Sequence, residues 1–483
     1  MTADVDPVRS STTLGMSRVA GILLELATVA YLMRTLGPEP FGIVAMVTSL
    51  TALLGAVGDA GVGSSLVSDA SASQRRVGAA FLTCCLLGVC MAVVILVTTP
   101  AVVAFYGTHQ VAPVWLATGL LIPVANLQSI PRSLAQRAQR FGVLAWLPLV
   151  AGVLASIVGV AVAQYRQDYW PILARQGVTV VLGGLLLWIA IRPRLSWPGG
   201  GDMREVLRFG GGVLAFDLLN TLNRNADKFL MGRYLGSEAV GLYTLAYRVL
   251  SLPLTTLGST VGTVAYPRLS LLMPDTQAVA RELARIMRAV AWVATPICLT
   301  TALVAPELVE VLAGRGWTEA ILPFRVLAVL GVYQTPFAQV GLAYIVSRRT
   351  ALMARWALVA TPVLVGSFVF GLKWGISGVA VSYAAMSLAL APALLWYAGS
   401  ALDCSPWILG RSPLLGILEG TLYALPVAAA AVGARAAGCA APWVQCACLV
   451  VGAAMELLVL RRLRRTFAAT VMGDAVRVGG RDG

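Results

Sequence analysis

The chain has 483 residues, 58% of them hydrophobic and only 12% charged, with a net charge of +14 and a mean hydropathy of +0.81. A soluble domain carries about a quarter charged residues, and no polar stretch here is long enough to fold as one, so a soluble enzyme and a nucleic-acid-binding domain are both excluded. The positive charge is spread as arginine between apolar runs, the pattern of a membrane protein that keeps its basic residues on one side; Lys228 and Lys373 are the two lysines.

A membrane-crossing helix needs about 20 apolar residues. Fourteen runs qualify, near 14–33, 41–62, 77–101, 111–131, 141–163, 170–191, 207–231, 239–265, 287–312, 321–346, 355–372, 375–398, 414–434 and 440–460. The fold expected is therefore all-α, a polytopic membrane protein of 14 transmembrane helices. The first run reads as a span and not a cleaved leader, because Glu25 lies at its middle and thirteen runs follow. Its Arg18 and Glu25 are seven residues apart and share a helical face. The second run ends in GDAGVGSS, where Asp59 reads as a turn residue. Arg175 in the sixth run is near its outer end and reads as a snorkelling side chain.

The seventh run carries Asp217, Asn220, Arg224, Asp227 and Lys228. Their spacing of i, i+3, i+7, i+10 and i+11 puts them on one stripe. An ionisable group in a span costs roughly 2.5–3.5 kcal/mol on insertion scales and so faces a cavity or a partner. Five on one stripe point to a wet cavity. The eighth run adds Thr244, Arg248, Ser251, Thr255 and Ser259 at steps of three or four, with Tyr243 and Tyr247 flanking Arg248. The planar fork of arginine matches phosphate with two parallel hydrogen bonds. A cavity holding Arg18, Arg224, Lys228 and Arg248 thus favours an anionic cargo over a lipophilic drug cation. In the connection after the eighth run, Arg281, Arg285 and Arg288 fall at helical spacing, which predicts a short interfacial helix over Thr276–Arg288. The RRLRR tail reads as a topological stop signal.

Alternate connections are rich in arginine. One set holds Arg75 and Arg76; Arg132, Arg137 and Arg140; Arg192, Arg194, Arg204 and Arg208; Arg268, Arg281, Arg285 and Arg288; Arg348, Arg349 and Arg355; and Arg411. The other set mostly holds one basic residue each. This places both termini in the cytoplasm. No outer connection is large enough for a catalytic domain, and no nucleophile–base pair or metal cluster is evident, so no enzyme activity is expected. Eight cysteines form no CxxC pair, and the single histidine, His109, lies in a short loop. No metal or cofactor is expected.

Residues 34–42, RTLGPEPFG, and 233–241, RYLGSEAVG, share the pattern R-x-L-G-x-E-x-x-G. Each closes one span and opens the next at the outer face, and six spans separate them. An even separation preserves orientation, which implies two parallel six-helix repeats with cargo handled between them. The glycines suit a tight outer turn. The expected domains are an N-lobe over 1–195, a linker over 196–206, a C-lobe over 207–400, an added helix pair within 401–462 and a cytoplasmic tail over 463–483. The 199-residue offset aligns Arg18 with Asp217 and Glu25 with Arg224, opposite charges at equivalent positions that suit a gate.

The segment 217–236, DLLNTLNRNADKFLMGRYLG, followed by GLYTLAYRVLSLPL (241–254) and YPRLS (266–270), resembles the Wzx-type polysaccharide-unit flippases of the multidrug/oligosaccharidyl-lipid/polysaccharide superfamily. GRGWTEAILPFRVLAVLG (314–331) and QRAQRFGVLA (136–145) are similar to the same family. The resemblance implies alternating access between two lobes in a bacterial inner membrane, with an undecaprenyl-diphosphate-linked oligosaccharide as cargo for exopolysaccharide, capsule or O-antigen synthesis. A polysaccharide polymerase and export machinery are its implied further partners. Candidate substrate-binding residues are Arg224, Arg248, Asp217, Asn220, Lys228, Arg18 and Tyr247. Candidates for ion coupling or a gate are Glu25, Asp217, Asp227 and Arg224. A multidrug cation antiporter and a lipid II flippase are the alternative readings within the same superfamily.

Overall fold

The computed structural model describes residues 7–59, 74–138, 140–197, 218 and 220–437. The helices in chain order are α1 (Pro7–Leu36), α2 (Pro38–Asp59), α3 (Gln74–Tyr106), α4 (Val111–Arg137), α5 (Phe141–Tyr165), α6 (Trp170–Ile191), α7 (220–234), α8 (Gly236–Leu271), α9 (Thr276–Leu303) and α10 (Ala305–Leu312). They continue with α11 (Ile321–Phe337), α12 (Gly341–Val346), α13 (Thr350–Gly371), α14 (Gly375–Ala389), α15 (Ala391–Ala401) and α16 (Pro406–Ala436). No strand occurs among the described residues. Each expected span from the first to the thirteenth falls on helix, the seventh from 220 onward. The fourteenth run, the tail, Asp217 and the linker beyond 197 lie outside the described residues.

Nine stretches among the described residues are long and apolar enough to cross a membrane. One of them, Thr350–Ala389, is 40 residues long. It folds back at Gly375, whose φ of 66° is the left-handed value that favours glycine, so α13 and α14 form a hairpin. Of the long helices, α1 and α8, both of which carry polar residues singled out above, are not among these nine stretches.

The chain divides into two compact units, Met1–Thr244 with Leu312–Gly316, and Leu245–Val311 with Trp317–Gly483. In the first, α5 packs between α1 and α6, and α4 packs on α2, α3 and α6. Buried polar hydrogens find backbone acceptors on neighbouring helices. Trp115 Nε1 donates to the Ile95 carbonyl at 3.0 Å, Trp188 Nε1 to Leu127 at 3.2 Å and the Tyr106 hydroxyl to Met46 at 3.1 Å. Such bonds fix helix rotation where apolar side chains alone would slide.

In the second unit, Leu269, Leu283, Met287, Tyr344 and Leu409 form a buried core. The most extensive helix pairing is α9 with α16, where Gly416 and Gly420 let the chain approach the Arg288 and Trp292 carbonyls. Arg288 also pairs with Glu419, and Arg435 grips Glu307 with two hydrogen bonds of 2.6 and 2.9 Å. The thirteenth span is thus fastened at both ends to the ninth.

The interfacial helix expected over Thr276–Arg288 is not separate. It forms the first turns of α9, which starts at Asp275, whose carboxylate accepts from the Ala278 N–H at 2.9 Å. No Gly or Pro separates Arg288 from Trp292, so the helix runs on. Its arginines stay outside, and Arg285, with Arg268 of α8, meets Glu282 at 3.0 and 2.8 Å respectively.

Candidate functional site

The repeated motif sets the C-terminal ends of α1 and α7 and the starts of α2 and α8. Arg34 and Arg233 end α1 and α7, where a cation complements the negative end of the helix dipole. Gly37 and Gly236 follow with φ of 74° and 85°, stopping each helix in the left-handed conformation. Glu39 and Glu238 then sit in the first turns of α2 and α8, at the positive end. The last glycine of each copy has a different task from the turn expected of it. A Cβ on Gly42 would overlap the Ser237 carbonyl, and one on Gly241 would overlap the Pro38 carbonyl. The two copies therefore cross each other, backbone against backbone, as a pseudosymmetric pair.

The C-terminal end of α7 is packed firmly. Phe229 stacks on Phe105 with centroids 4.6 Å apart, and Arg233 lies over the Phe105 ring at 5.8 Å. Gly232 leaves room for Met46 and Tyr106, whose atoms would come within 2.7 and 2.8 Å of an added Cβ. One turn earlier, Asp227 is 2% exposed. Its carboxylate accepts from the Lys228 N–H at 2.7 Å and lies near the Tyr243 hydroxyl. Arg224 and Asn220, further along α7, are exposed, and Lys228 is half-buried. The stripe expected in the seventh span is therefore graded, with open cationic and amide groups followed by a buried carboxylate.

On α8, Thr244 belongs to the first unit, whereas Tyr247, Arg248 and Ser251 belong to the second, and all four are half-buried. The hydroxyls of Thr244, Ser251 and Thr255 are satisfied by carbonyls one turn back, at 2.6, 2.9 and 2.8 Å. At 36 residues, α8 is about 54 Å long by the α-helical rise, well beyond the roughly 30 Å of a bilayer core. The side chain of Arg18 and all of Asp217 lie outside the described residues, so the charge alignment is described only for Glu25 and Arg224.

Glu25 is exposed on α1 and lines a cavity of about 480 Å³ within the first unit. Arg132 and Gln136 from α4 and Arg175 and Thr179 from α6 line it with Ser17 and Ser156. Arg175, expected as a snorkelling residue, lines this cavity. Gly159 on α5 admits its stem, an added Cβ there lying 3.0 Å from Arg175 Cβ. Arg132 had been counted only as a loop charge. Both pairs were visible as i, i+4 polar repeats on apolar helices, Arg132 with Gln136 and Arg175 with Thr179, the spacing that already singled out α7.

Among the described residues no group of three His, Cys, Asp or Glu is placed to hold a metal. The side chains offered are arginines, carboxylates, hydroxyls and amides, groups suited in kind to hydrogen bonding and charge pairing with a polar ligand. The model of the polysaccharide biosynthesis protein family matches residues 31–322. The chain belongs to that family. As a polysaccharide biosynthesis protein it is similar to the teichuronic acid biosynthesis protein TuaB of Bacillus subtilis (strain 168), 24% identical over 304 residues that cover 62% of each chain. It is also similar to the succinoglycan biosynthesis transport protein ExoT of Rhizobium meliloti (strain 1021), 24% identical over 79% of this chain and 75% of that one. Its fold matches the lipid II flippase MurJ in an inward closed conformation, with a TM-score of 0.73 at 12% identity, over 94% of this chain and 99% of the other. The resemblance carried by residues 217–331 is borne out, and the all-α polytopic membrane fold with it.

Proposed function

We propose that this protein moves an undecaprenyl-diphosphate-linked oligosaccharide from the inner to the outer leaflet of the bacterial inner membrane by alternating access, for exopolysaccharide, capsule or O-antigen synthesis. The observation that carries the reading is the concentration of arginine, lysine and carboxylate on α1, α7 and α8, in a family whose relative ExoT is named a transport protein for succinoglycan biosynthesis. The diphosphate and sugars enter the polar space while the lipid tail stays in the bilayer through a lateral gap. Arg224 and Arg248 hold the anionic head, with Arg18 and Lys228 adding charge and Asn220, Asp217 and Tyr247 contacting sugar. Two lobes, spans 1–6 and spans 7–12, rock about the cargo, with both termini cytoplasmic. Glu25, Asp217 and Asp227 are the groups for coupling to a cation gradient, and Glu25 with Arg224 for a gate. A polysaccharide polymerase and export machinery take the product onward.

The test is polymer export after Arg224→Ala and Arg248→Ala, in protein shown to insert normally. Each change is expected to cut export at least tenfold. Full export by both variants would remove the assigned roles. A deletion strain that accumulates a lipid-linked sugar on the inner leaflet supports the reading. A strain that changes only in drug susceptibility supports the antiporter.

A further inference from the structure

On the other face of α4 from the Glu25 cavity lies a second space of about 480 Å³. Arg137, Arg140, Arg192 and Arg194 line it, with Leu134, Ala138, Ile191 and Pro193 and no acidic residue. Arg137 ends α4, Arg140 lies in the α4–α5 connection, and Arg192 and Arg194 follow α6. All four arginines are exposed, and two of them are anchored to backbone. Arg192 caps α6 with φ of 47°, and its Nε donates to the Ile189 carbonyl at 3.2 Å. Arg140 Nη1 donates to the Ala190 carbonyl at 3.3 Å, tying the two loops together. The strand of chain that follows is strapped to the start of α3, where the Ser196 hydroxyl meets the Gln74 side chain at 3.2 Å and Gly78 makes room for the Ser196 carbonyl. Two exposed tryptophans follow these arginines in sequence, Trp197 three residues after Arg194 at 87% exposure and Trp146 six after Arg140 at 54%. Tryptophan gathers at the headgroup level of a membrane.

We propose that this pocket binds a lipid-borne phosphate, and that its occupant is an anionic phospholipid carrying two phosphates, such as cardiolipin. Each phosphate takes a bidentate arginine pair, and basic pockets between helices at the membrane surface are suited to such headgroups. The transported lipid carries a diphosphate of the same chemistry. The pocket is separated from the polar interior by α4, which favours a resident phospholipid over cargo. The inference requires only that this face meets a membrane surface, so it stands or falls independently of the flippase reading.

The experiment uses full-length protein in detergent, exchanged into phosphatidylcholine, with cardiolipin or undecaprenyl diphosphate added at equal concentration. Bound lipid is counted by native mass spectrometry. Wild type is expected to retain cardiolipin. Arg140→Gln/Arg192→Gln is expected to bind it at least tenfold more weakly, while Arg166→Gln, elsewhere on the surface, leaves it unchanged. Should the double variant fail to fold, the single Arg194→Gln change is expected to weaken binding about threefold. Equal cardiolipin binding by wild type and pocket variants overturns the proposal. So does preferential retention of undecaprenyl diphosphate, which would assign the pocket to cargo.

Discussion

The crossing of the two repeat copies gives a prediction whose sign is set by geometry. An alanine at Gly241 puts a methyl where the Pro38 carbonyl oxygen lies, and one at Gly42 meets the Ser237 carbonyl. Carbon packs at about 3.5 Å, so the starts of α2 and α8 must part by on the order of 1 Å. Overpacking of that kind costs about 1–3 kcal/mol, while alanine gains roughly 0.5–1 kcal/mol over glycine within a helix. The net expectation is a loss of about 1–2 kcal/mol for either single variant. Gly55 in α2 and Gly262 in α8 are matched controls, because nothing lies within 4 Å of an added Cβ at either. Gly55→Ala and Gly262→Ala should be neutral or stabilising. One displacement relieves both contacts, so Gly42→Ala/Gly241→Ala should lose less than the sum of the singles. Denaturant unfolding of purified protein in detergent measures all five variants. A Gly241→Ala variant as stable as Gly262→Ala would refute the reasoning, since the helices would then have no close crossing to lose.

The Glu307–Arg435 pair joins α10 to α16. With Glu307 9% exposed and its two hydrogen bonds charge-assisted, Glu307→Gln should cost about 1–3 kcal/mol. Glu307→Leu/Arg435→Met should recover most of that loss, because an apolar pair avoids the cost of desolvating two charges; a double variant weaker than the single would contradict this. In the connections outside the spans, Arg349 donates to both oxygens of Asp403 at 2.8 Å, and this holds the Asp403 carboxyl below its usual range. A depressed carboxylate stabilises above its unfolded value, about 3.9, and that contribution is lost as pH falls through the lower folded value. The stability gap between wild type and Asp403→Asn should therefore be constant from about pH 6 to 8 and close in acid, and a gap that opens in acid would be the wrong sign. Glu25→Gln, Asp217→Asn and Asp227→Asn should reduce gradient-driven flipping in vesicles, and an unchanged gradient dependence in all three would free these groups from coupling.

The apolar runs and their length determine by themselves that the chain crosses a membrane as helices, because the bilayer leaves a buried backbone no other partner than itself. The polar stripe of α7 was legible for the same reason: charge amid apolar residues is costly enough to be visible without coordinates. The repeated motif was legible too, and its Gly37 and Gly236 turn as the pattern required. What Gly42 and Gly241 do was not legible, because a glycine demanded by a neighbouring backbone looks the same in sequence as one demanded by a turn. That Arg175 and Arg132 line one cavity was not legible for a related reason. A position along a span gives depth, but only the packing of α1, α4, α5 and α6 decides which arginines line a common cavity. The four-arginine pocket likewise joins residues 137–140 to 192–194, separate in sequence and brought together by the return of α6 beside α4. Local pattern thus determined which segments are helices and which helices are polar, while long-range packing decided what each polar side chain faces.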